Sequence, residues 1–308
     1  MEKINMKDLV IIGAGPAGLT AAIYAARAGL DFTVLEQDGY GGGQIVSSHE
    51  VQNYPGTGKI SGEALGEAFR NQALELGAEI QYGVVESVIR QENGFQIRLQ
   101  DDETLESKTV IAATGAVPAV LGIPGEAEYT GNNVSYCALC DGSFYKGKNV
   151  LVIGGGDTAV EDALYLSAIC KQVTIALRSS RFRAAGSSVE QLKRRENIRI
   201  LENTKLIRME GGKKAEKFIL EQENREREEF FDGVFIAVGI RPVSDYLKEL
   251  PLKYEEGYIA ADETGKTNME GLYVAGDLRK KALRQLTTAV SDGANAAASV
   301  VRYLQEYY

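Results

Sequence analysis

Three cysteines and a single histidine, His49, in 308 residues leave little from which to build a structural metal site. Tetrahedral zinc takes four sulfur or imidazole ligands, and no metal is expected here. Six prolines against thirty-four glycines exclude Pro-rich linkers; the glycines read as tight turns at strand ends, as in α/β folds. No apolar run reaches the length of a membrane span. Positive charge is the minority sign, 34 − 43 = −9, so the surface as a whole repels nucleic acid and anionic membranes, and neither is expected as a partner. Met1 to Lys7 is mostly polar and Leu9 already opens an apolar strand, which leaves no room for a secretory signal; a cytoplasmic protein is expected. What is present is a globular balance, 44% hydrophobic and 25% charged, in a chain long enough for two domains.

Cys137-Ala138-Leu139-Cys140-Asp141-Gly142 sets two thiols two residues apart, with a carboxylate directly after the second. Such a pair can close a small disulfide ring. A thiolate there can attack another disulfide, and Asp141 can supply or take the proton that the leaving sulfur needs. The rival readings are half of a zinc site and plain packing near a turn. Only Cys170 and His49 remain as further sulfur or imidazole ligands, and in a cytoplasmic protein a C-x-x-C is more often catalytic than a staple.

From Asp8 a buried β run ends in Gly13-Ala14-Gly15-Pro16-Ala17-Gly18 and passes straight into an Ala-rich helix. The glycines permit the turn and let the backbone approach a pyrophosphate at the positive end of the helix. A second strand, Phe32 to Glu36, ends in an acid 23 residues after Gly13, where a ribose hydroxyl finds its acceptor. Gly41, Gly42 and Gly43 then remove side chains in succession, so a flat ring system is expected close to that backbone, with Gln44 or Asn53 supplying amide contacts. Residues 61–77 have helical periodicity, with Leu65, Ala68, Phe69, Ala73 and Leu76 on one face. A period-two region from Ala78 to about Leu99 reads as a β-meander. Thr109 to Gly115 returns as a strand to the first sheet, and its Thr114-Gly115 turn is expected to touch the cofactor again.

After a shift in composition around residues 116–121, the opening pattern recurs as a strand from Asn149 leading into Gly154-Gly155-Gly156-Asp157-Thr158-Ala159. The following helix has Ala163, Leu164 and Leu166 on its apolar side, and a new strand runs from Gln172 to Leu177. Two such turns imply two nucleotide sites. Adding 23 to 154 gives Leu177, so the second copy lacks the acid and carries Arg178, Arg181 and Arg183 just beyond it. A ribose 2′-phosphate needs positive charge there, which favours NADP over NAD; the alternative is a solvated basic face, continuing to Lys193, Arg194 and Arg195, that could dock an acidic partner. Glu221 to Glu229 reads as a solvated hairpin. Asp232 to Gly239 is expected at the edge of the second sheet, with Pro242 marking the crossing back. A strand from Gly271 ends at Gly276-Asp277, placing Asp277 for a polyol hydroxyl. The helix from Thr287 to Leu304 points its N-terminus at the first cofactor.

Together these motifs, with Asn53-Tyr54-Pro55-Gly56 and Arg284-Gln285, resemble the low-molecular-weight thioredoxin reductases over essentially the whole chain. The resemblance implies an α/β protein of two Rossmann-like three-layer nucleotide-binding domains, the second inserted in the first: an FAD domain of residues 1–116 and 244–308, and an NAD(P)H domain of residues 117–243 carrying the redox cysteines. It implies a homodimer, rotation of one domain against the other, and a thioredoxin-like partner. It places FAD on Gly13, Gly15, Pro16, Ala17, Gly18, Glu36, Gly43, Gln44, Asn53, Thr114, Gly115, Gly276, Asp277, Arg284, Gln285 and Leu286. NADPH falls on Gly154, Gly156, Asp157, Thr158, Ala159, Arg178, Arg181 and Arg183. Cys140 would take electrons from the flavin, Cys137 would attack the partner, and Asp141 would act as the acid.

One stretch departs from the family pattern. Members that use NADPH read His-Arg-Arg-x-x-x-Arg where this chain reads Leu177-Arg178-Ser179-Ser180-Arg181-Phe182-Arg183. Losing one charged phosphate contact costs about 1.5–3 kcal/mol, about ten- to a hundredfold in affinity, and Arg181 restores part of it. NADH and reduced ferredoxin therefore stand as alternative donors. A flavin-dependent dithiol oxidase and a flavin redox sensor that does not turn over stand as alternative functions.

Overall fold

The computed structural model describes residues 6–48 and 50–308; Met1–Asn5 and His49, on which two of the expectations above bear, lie outside the described residues. The chain divides into two compact units, Met1–Val117 with Arg241–Tyr308, and Pro118–Ile240. Both crossings fall within short strands, β7 (Ala116–Pro118) and β16 (Ile240–Pro242), so Pro242 lies just past the return rather than at it.

In the first unit the sheet runs β3 (Ile80–Tyr82), β2 (Phe32–Glu36), β1 (Lys7–Ile12), β6 (Thr104–Ala112), β5 (Gly94–Leu99), β4 (Val85–Gln91), and β19 (Leu272–Val274) pairs in parallel with the end of β6. Side chains of β1 alternate between two cores. Leu9 and Ile11 meet α1 (Pro16–Arg27), α2 (Gly62–Glu75) and α7 (Leu286–Tyr307), whereas Val10 and Ile12 meet the β4–β5 layer and residues 246–252. Pro16 opens α1, and small residues let α7 approach it at backbone distance: a Cβ on Gly293 would stand 2.1 Å from the Ala17 carbonyl oxygen. A small hairpin of β17 (Tyr254–Glu255) and β18 (Tyr258–Ile259) precedes β19.

Two expectations change here. The antiparallel meander is β4–β5–β6; β3 instead pairs in parallel with β2, because α2 forms a crossover that returns the chain to the open side of β2. On α2, Leu65, Phe69 and Ala73 are buried with Gly62 and Gly66, while Ala68 and Leu76 are exposed. Burial follows the i, i+4 row, and Leu76 caps the helix beyond its last turn.

The second unit repeats the plan. Its sheet is wholly parallel, in the order β11 (Ile198–Leu201), β10 (Gln172–Ala176), β9 (Asn149–Ile153), β15 (Gly233–Ile236), β8 (Val134–Ser135). Helices α5 (Asp157–Ser167) and α6 (Gly186–Lys193) cover one face, and β12 (Thr204–Gly211), β13 (Ala215–Gln222) and β14 (Arg225–Glu229) cover the other. The charged stretch 221–229 is the β13–β14 hairpin. The strand after Asp232 is interior rather than marginal; β8, only two residues long, forms the edge. Two short helices, α3 (Glu126–Tyr129) and α4 (Ala138–Asp141), flank β8.

Registers of the two units superimpose. Ile12 pairs with Leu35 ahead of the first glycine turn, and Ile153 pairs with Ala176 ahead of the second. Glu36 and Leu177 therefore occupy equivalent positions, one residue past these two pairs.

Candidate active site

Cys137 and Cys140 are joined in a disulfide at the head of α4, where Cys137 is the N-cap. The Cys140 N–H donates to Cys137 Sγ at 3.1 Å. Behind the ring lies a side chain that the sequence reading passed over. Ser135, buried at the end of β8, accepts the Cys137 N–H at 3.1 Å and donates its hydroxyl to Asp141 Oδ2 at 2.6 Å. Burial pushes the Asp141 carboxyl up from its ordinary range, and the Ser135 hydrogen bond partly opposes this. One polar chain thus runs from the Cys137 backbone through Ser135 to the acid.

The surroundings hold this segment from two sides. A Cβ on Gly142, just past α4, would stand 3.0 Å from the Leu166 and Tyr165 side chains and 3.3 Å from that of Ile169, so α4 rests closely on α5 and its end. Ahead of the cysteines, the Tyr136 hydroxyl donates to Glu126 Oε1 at 2.9 Å, and the buried Glu126 carboxylate also accepts the N–H groups of Leu121 and Gly122 at 2.9 and 2.7 Å. Leu139 and Phe144 remain exposed near the disulfide. Cys170 is a free buried thiol within the α5 core, and among the described residues no three His, Cys, Asp or Glu side chains gather as metal ligands.

In the first unit, Gly13 adopts φ +101°, and a Cβ there would meet the Ala113 carbonyl oxygen at 2.7 Å. Glu36 is buried, with Oε2 accepting the Ala14 N–H at 2.7 Å and Oε1 the Asp38 N–H at 3.1 Å, which leaves lone pairs on both oxygens. Segments far apart in sequence converge here. Asn53 Nδ2 donates to Gln285 Oε1 at 3.0 Å, Gln44 donates to the Ala116 carbonyl beside Gly115, and Gly276 brings the Asp277 turn against Ala17. Gln285 caps α7 and Leu286 begins it, with Thr288 completing a capping box. Asp277 Oδ1 is buried and accepts no hydrogen bond, with the Lys281 ammonium 3.2 Å away as an ion pair, which suits it to a polyol hydroxyl. These residues fit a dinucleotide carrying a polyol.

Three of the groups expected at the cofactor also make contacts within the protein. At Gly41 to Gly43 the missing side chains leave room for the chain itself: a Cβ on Gly41 would meet Ala14 at 3.1 Å, on Gly42 Val46 at 2.6 Å, and on Gly43 Gly15 at 2.9 Å. Their missing side chains admit the protein's own backbone. The Thr114 hydroxyl donates to the Val243 carbonyl at 2.6 Å, so what it offers to the turn is main chain. The Arg284 guanidinium lies over the Tyr258 ring, 3.7 Å from its centroid.

In the second unit Gly154 has φ +150°, and a Cβ there would stand 2.3 Å from the Ala237 carbonyl oxygen and 2.7 Å from the Ala159 methyl group. Gly156 has open space around it, as a backbone approached by a pyrophosphate requires. Asp157 opens α5, followed by Thr158, and its Oδ1 accepts the Ala185 N–H at 2.8 Å. The Arg183 N–H donates to the Gly155 carbonyl at 2.7 Å. These two bonds fold the arginine loop over the glycine turn. Arg178, Arg181 and Arg183 are exposed there, and among the described residues none of them has an ion-pair partner. Leu177 is 1% exposed, so the place held by Glu36 in the first unit offers no polar atom of a side chain.

The chain matches the family model described as pyridine nucleotide-disulphide oxidoreductase over residues 7–293. It is 40% identical over 309 residues to the thioredoxin reductase of Bacillus subtilis (strain 168), covering 99% of this chain and 97% of that protein. To the thioredoxin reductase of Helicobacter pylori (strain J99 / ATCC 700824) it is 40% identical over 311 residues, 98% of this chain and 100% of that one. The crystal structure of the thioredoxin reductase from Streptococcus pyogenes MGAS5005 superimposes with a TM-score of 0.94 at 38% identity, covering 99% of this chain and 100% of that chain.

Proposed function

Because the chain belongs to the pyridine nucleotide-disulphide oxidoreductases and, within them, to the thioredoxin reductases, we propose that it passes electrons from NADPH to the disulfide of a thioredoxin-like protein through FAD and the Cys137–Cys140 pair. The observation that carries this reading is the disulfide at the head of α4 with a half-buried acid and its buried hydroxyl partner beside it. When bound, NADPH supplies a hydride and FAD relays its two electrons to the disulfide.

With the pair reduced, the Cys137 thiolate attacks one sulfur of the partner's disulfide. A bond forms between Cys137 and that sulfur, the partner's own S–S bond breaks, and its second sulfur leaves with the electron pair. The Cys140 N–H directed at Cys137 Sγ stabilises the thiolate before attack. Asp141, whose protonated form burial favours, gives the leaving sulfur its proton, and Ser135 holds the carboxyl in place. Cys140 then passes its proton to the Asp141 carboxylate and attacks Cys137 Sγ; the bond between Cys137 and the partner's first sulfur breaks, and that sulfur leaves with the electron pair and takes the proton from Asp141. Two electrons and two protons, one first held by Asp141 and one by Cys140, have moved to the partner.

FAD is assigned to Gly13, Gly15, Pro16, Ala17 and Gly18 for its pyrophosphate, Glu36 for a ribose, Gln44, Asn53 and Gln285 for amide contacts, and Asp277 for the polyol. NADPH is assigned to Gly154, Gly156, Thr158 and Ala159, with Arg178, Arg181 and Arg183 at the 2′-phosphate. Buried Leu177 in place of an acid, beside three exposed unpaired arginines, supports NADPH over NADH. By family the protein is read as a homodimer of the cytoplasm. To test the donor, the oxidised protein is mixed anaerobically with NADPH, NADH or reduced ferredoxin and bleaching of the flavin band is followed, then reoxidation by thioredoxin disulfide. Rapid bleaching by NADPH is expected; bleaching by ferredoxin or NADH alone would overturn the assignment of the donor.

A further inference from the structure

We propose that Lys281 is the positioning residue for the Asp277 carboxylate, an inference that rests on reading the first unit as the FAD unit. Lys281 is 5% exposed and lies on the loop between β19 and α7. Its ammonium donates to Asp292 Oδ2 at 3.0 Å and Thr288 Oγ1 at 3.3 Å, and stands 3.2 Å from Asp277 Oδ1. Asp292, 6% exposed on α7, already has a buried cation in Arg279 at 2.9 Å and the Gly276 N–H at 3.1 Å. Arg279 also pairs with the exposed Glu263 at 3.2 Å, so Lys281 is the cation shared by Asp292 and Asp277.

What Lys281 adds is a charge beside Asp277, whose Oδ1 is buried yet accepts no hydrogen bond. Two of its three donors are directed to α7, so the ammonium is fixed from behind and holds Asp277 by charge alone. The lone pairs of that oxygen are left for a ligand hydroxyl. Thr288 belongs to the capping box of α7, so the same ammonium also ties the Asp277 turn to the start of that helix.

The test measures FAD release from purified holoenzyme on dilution, by the rise in flavin fluorescence, together with thermal melting of each variant. Lys281→Met is expected to weaken FAD binding about ten- to a hundredfold, and Lys281→Arg to stay within about threefold of the parent. In the Asp277→Asn background, adding Lys281→Met should change FAD affinity by less than about threefold. A full loss on adding K281M to D277N, or melting losses in K281M with unchanged FAD affinity, overturns the inference. If K281M alone does not fold, comparison of the double variant with D277N decides by the same criterion. D277N protein that keeps the parental FAD affinity sinks this proposal alone; wild-type protein that binds no FAD sinks the parent reading and this one with it.

Discussion

Replacing Ser135 by alanine tests how the acid beside the disulfide is held. The Ser135 hydroxyl donates to Asp141 Oδ2 at 2.6 Å, and hydrogen bonds to charged groups are worth about 1.5–3 kcal/mol. That bond favours the carboxylate, whereas burial favours the neutral acid and prevails, since the carboxyl lies above its ordinary range. Removing Ser135 takes a donor from the ionised form alone, so the carboxyl rises further and keeps its proton to higher pH. At about 1.4 kcal/mol per factor of ten, the ratio of ionised to protonated acid at fixed pH falls about ten- to a hundredfold. Asp141 is only partly buried, and water replacing the hydroxyl puts the expected change near the tenfold end. The assay mixes prereduced protein with oxidised thioredoxin in a stopped-flow instrument and follows exchange from acid to alkaline pH. The falling limb, where Asp141 loses its proton, should move to higher pH in S135A, return in S135T and vanish in D141N. The maximum should also fall in S135A, because the Cys137 N–H loses its acceptor. A S135A profile that coincides with wild type, or shifts to lower pH, refutes the relay.

Glu126→Ala strips the acceptor from three backbone N–H groups and the Tyr136 hydroxyl; a loss of roughly 2–4 kcal/mol is expected as a lower urea midpoint. The Tyr136 phenol, pushed up to about 12 by burial and by Glu126, should then titrate at lower pH in ultraviolet difference spectra. Asp162 is raised from 3.8 to about 7 by burial, with Glu161 adding to it. The fold favours its neutral form, so stability present below 3.8 is lost as pH rises through about 7; Asp162→Asn should keep urea midpoints nearly level across that window, and a wild-type slope retained in the variant would count against it. Arg183→Ala should raise the KM for NADPH about tenfold and leave that for NADH unchanged, because the side chain is assigned to the 2′-phosphate.

The two glycine turns were legible because their cause is local. Gly13 and Gly154 stand where any Cβ would strike a carbonyl oxygen of the neighbouring strand, and each ends a strand whose apolar run announces it. Counting 23 residues from each turn worked because the paired registers are the same, Ile12 with Leu35 and Ile153 with Ala176, so the buried leucine in place of the acid could be found without coordinates. Gly41 to Gly43 are harder to read, because a missing side chain admits a ligand or the chain's own backbone equally and the sequence does not say which. Ser135 was hidden for another reason. Its strand β8 is two residues long, too short to show a period, and its value lies in the turn that carries Asp141 back beside it. Lys281 and Asp292 are joined only once α7 packs beside the Asp277 turn, and Arg284 is diverted to a tyrosine on a hairpin before β19. Local steric demands are written in consecutive residues, whereas the partners of a polar side chain are chosen by the packing of remote segments. The residues assigned to a cofactor were therefore easier to nominate than those proposed to aim them, and the latter, Ser135 and Lys281, are where substitution tells most about the chemistry.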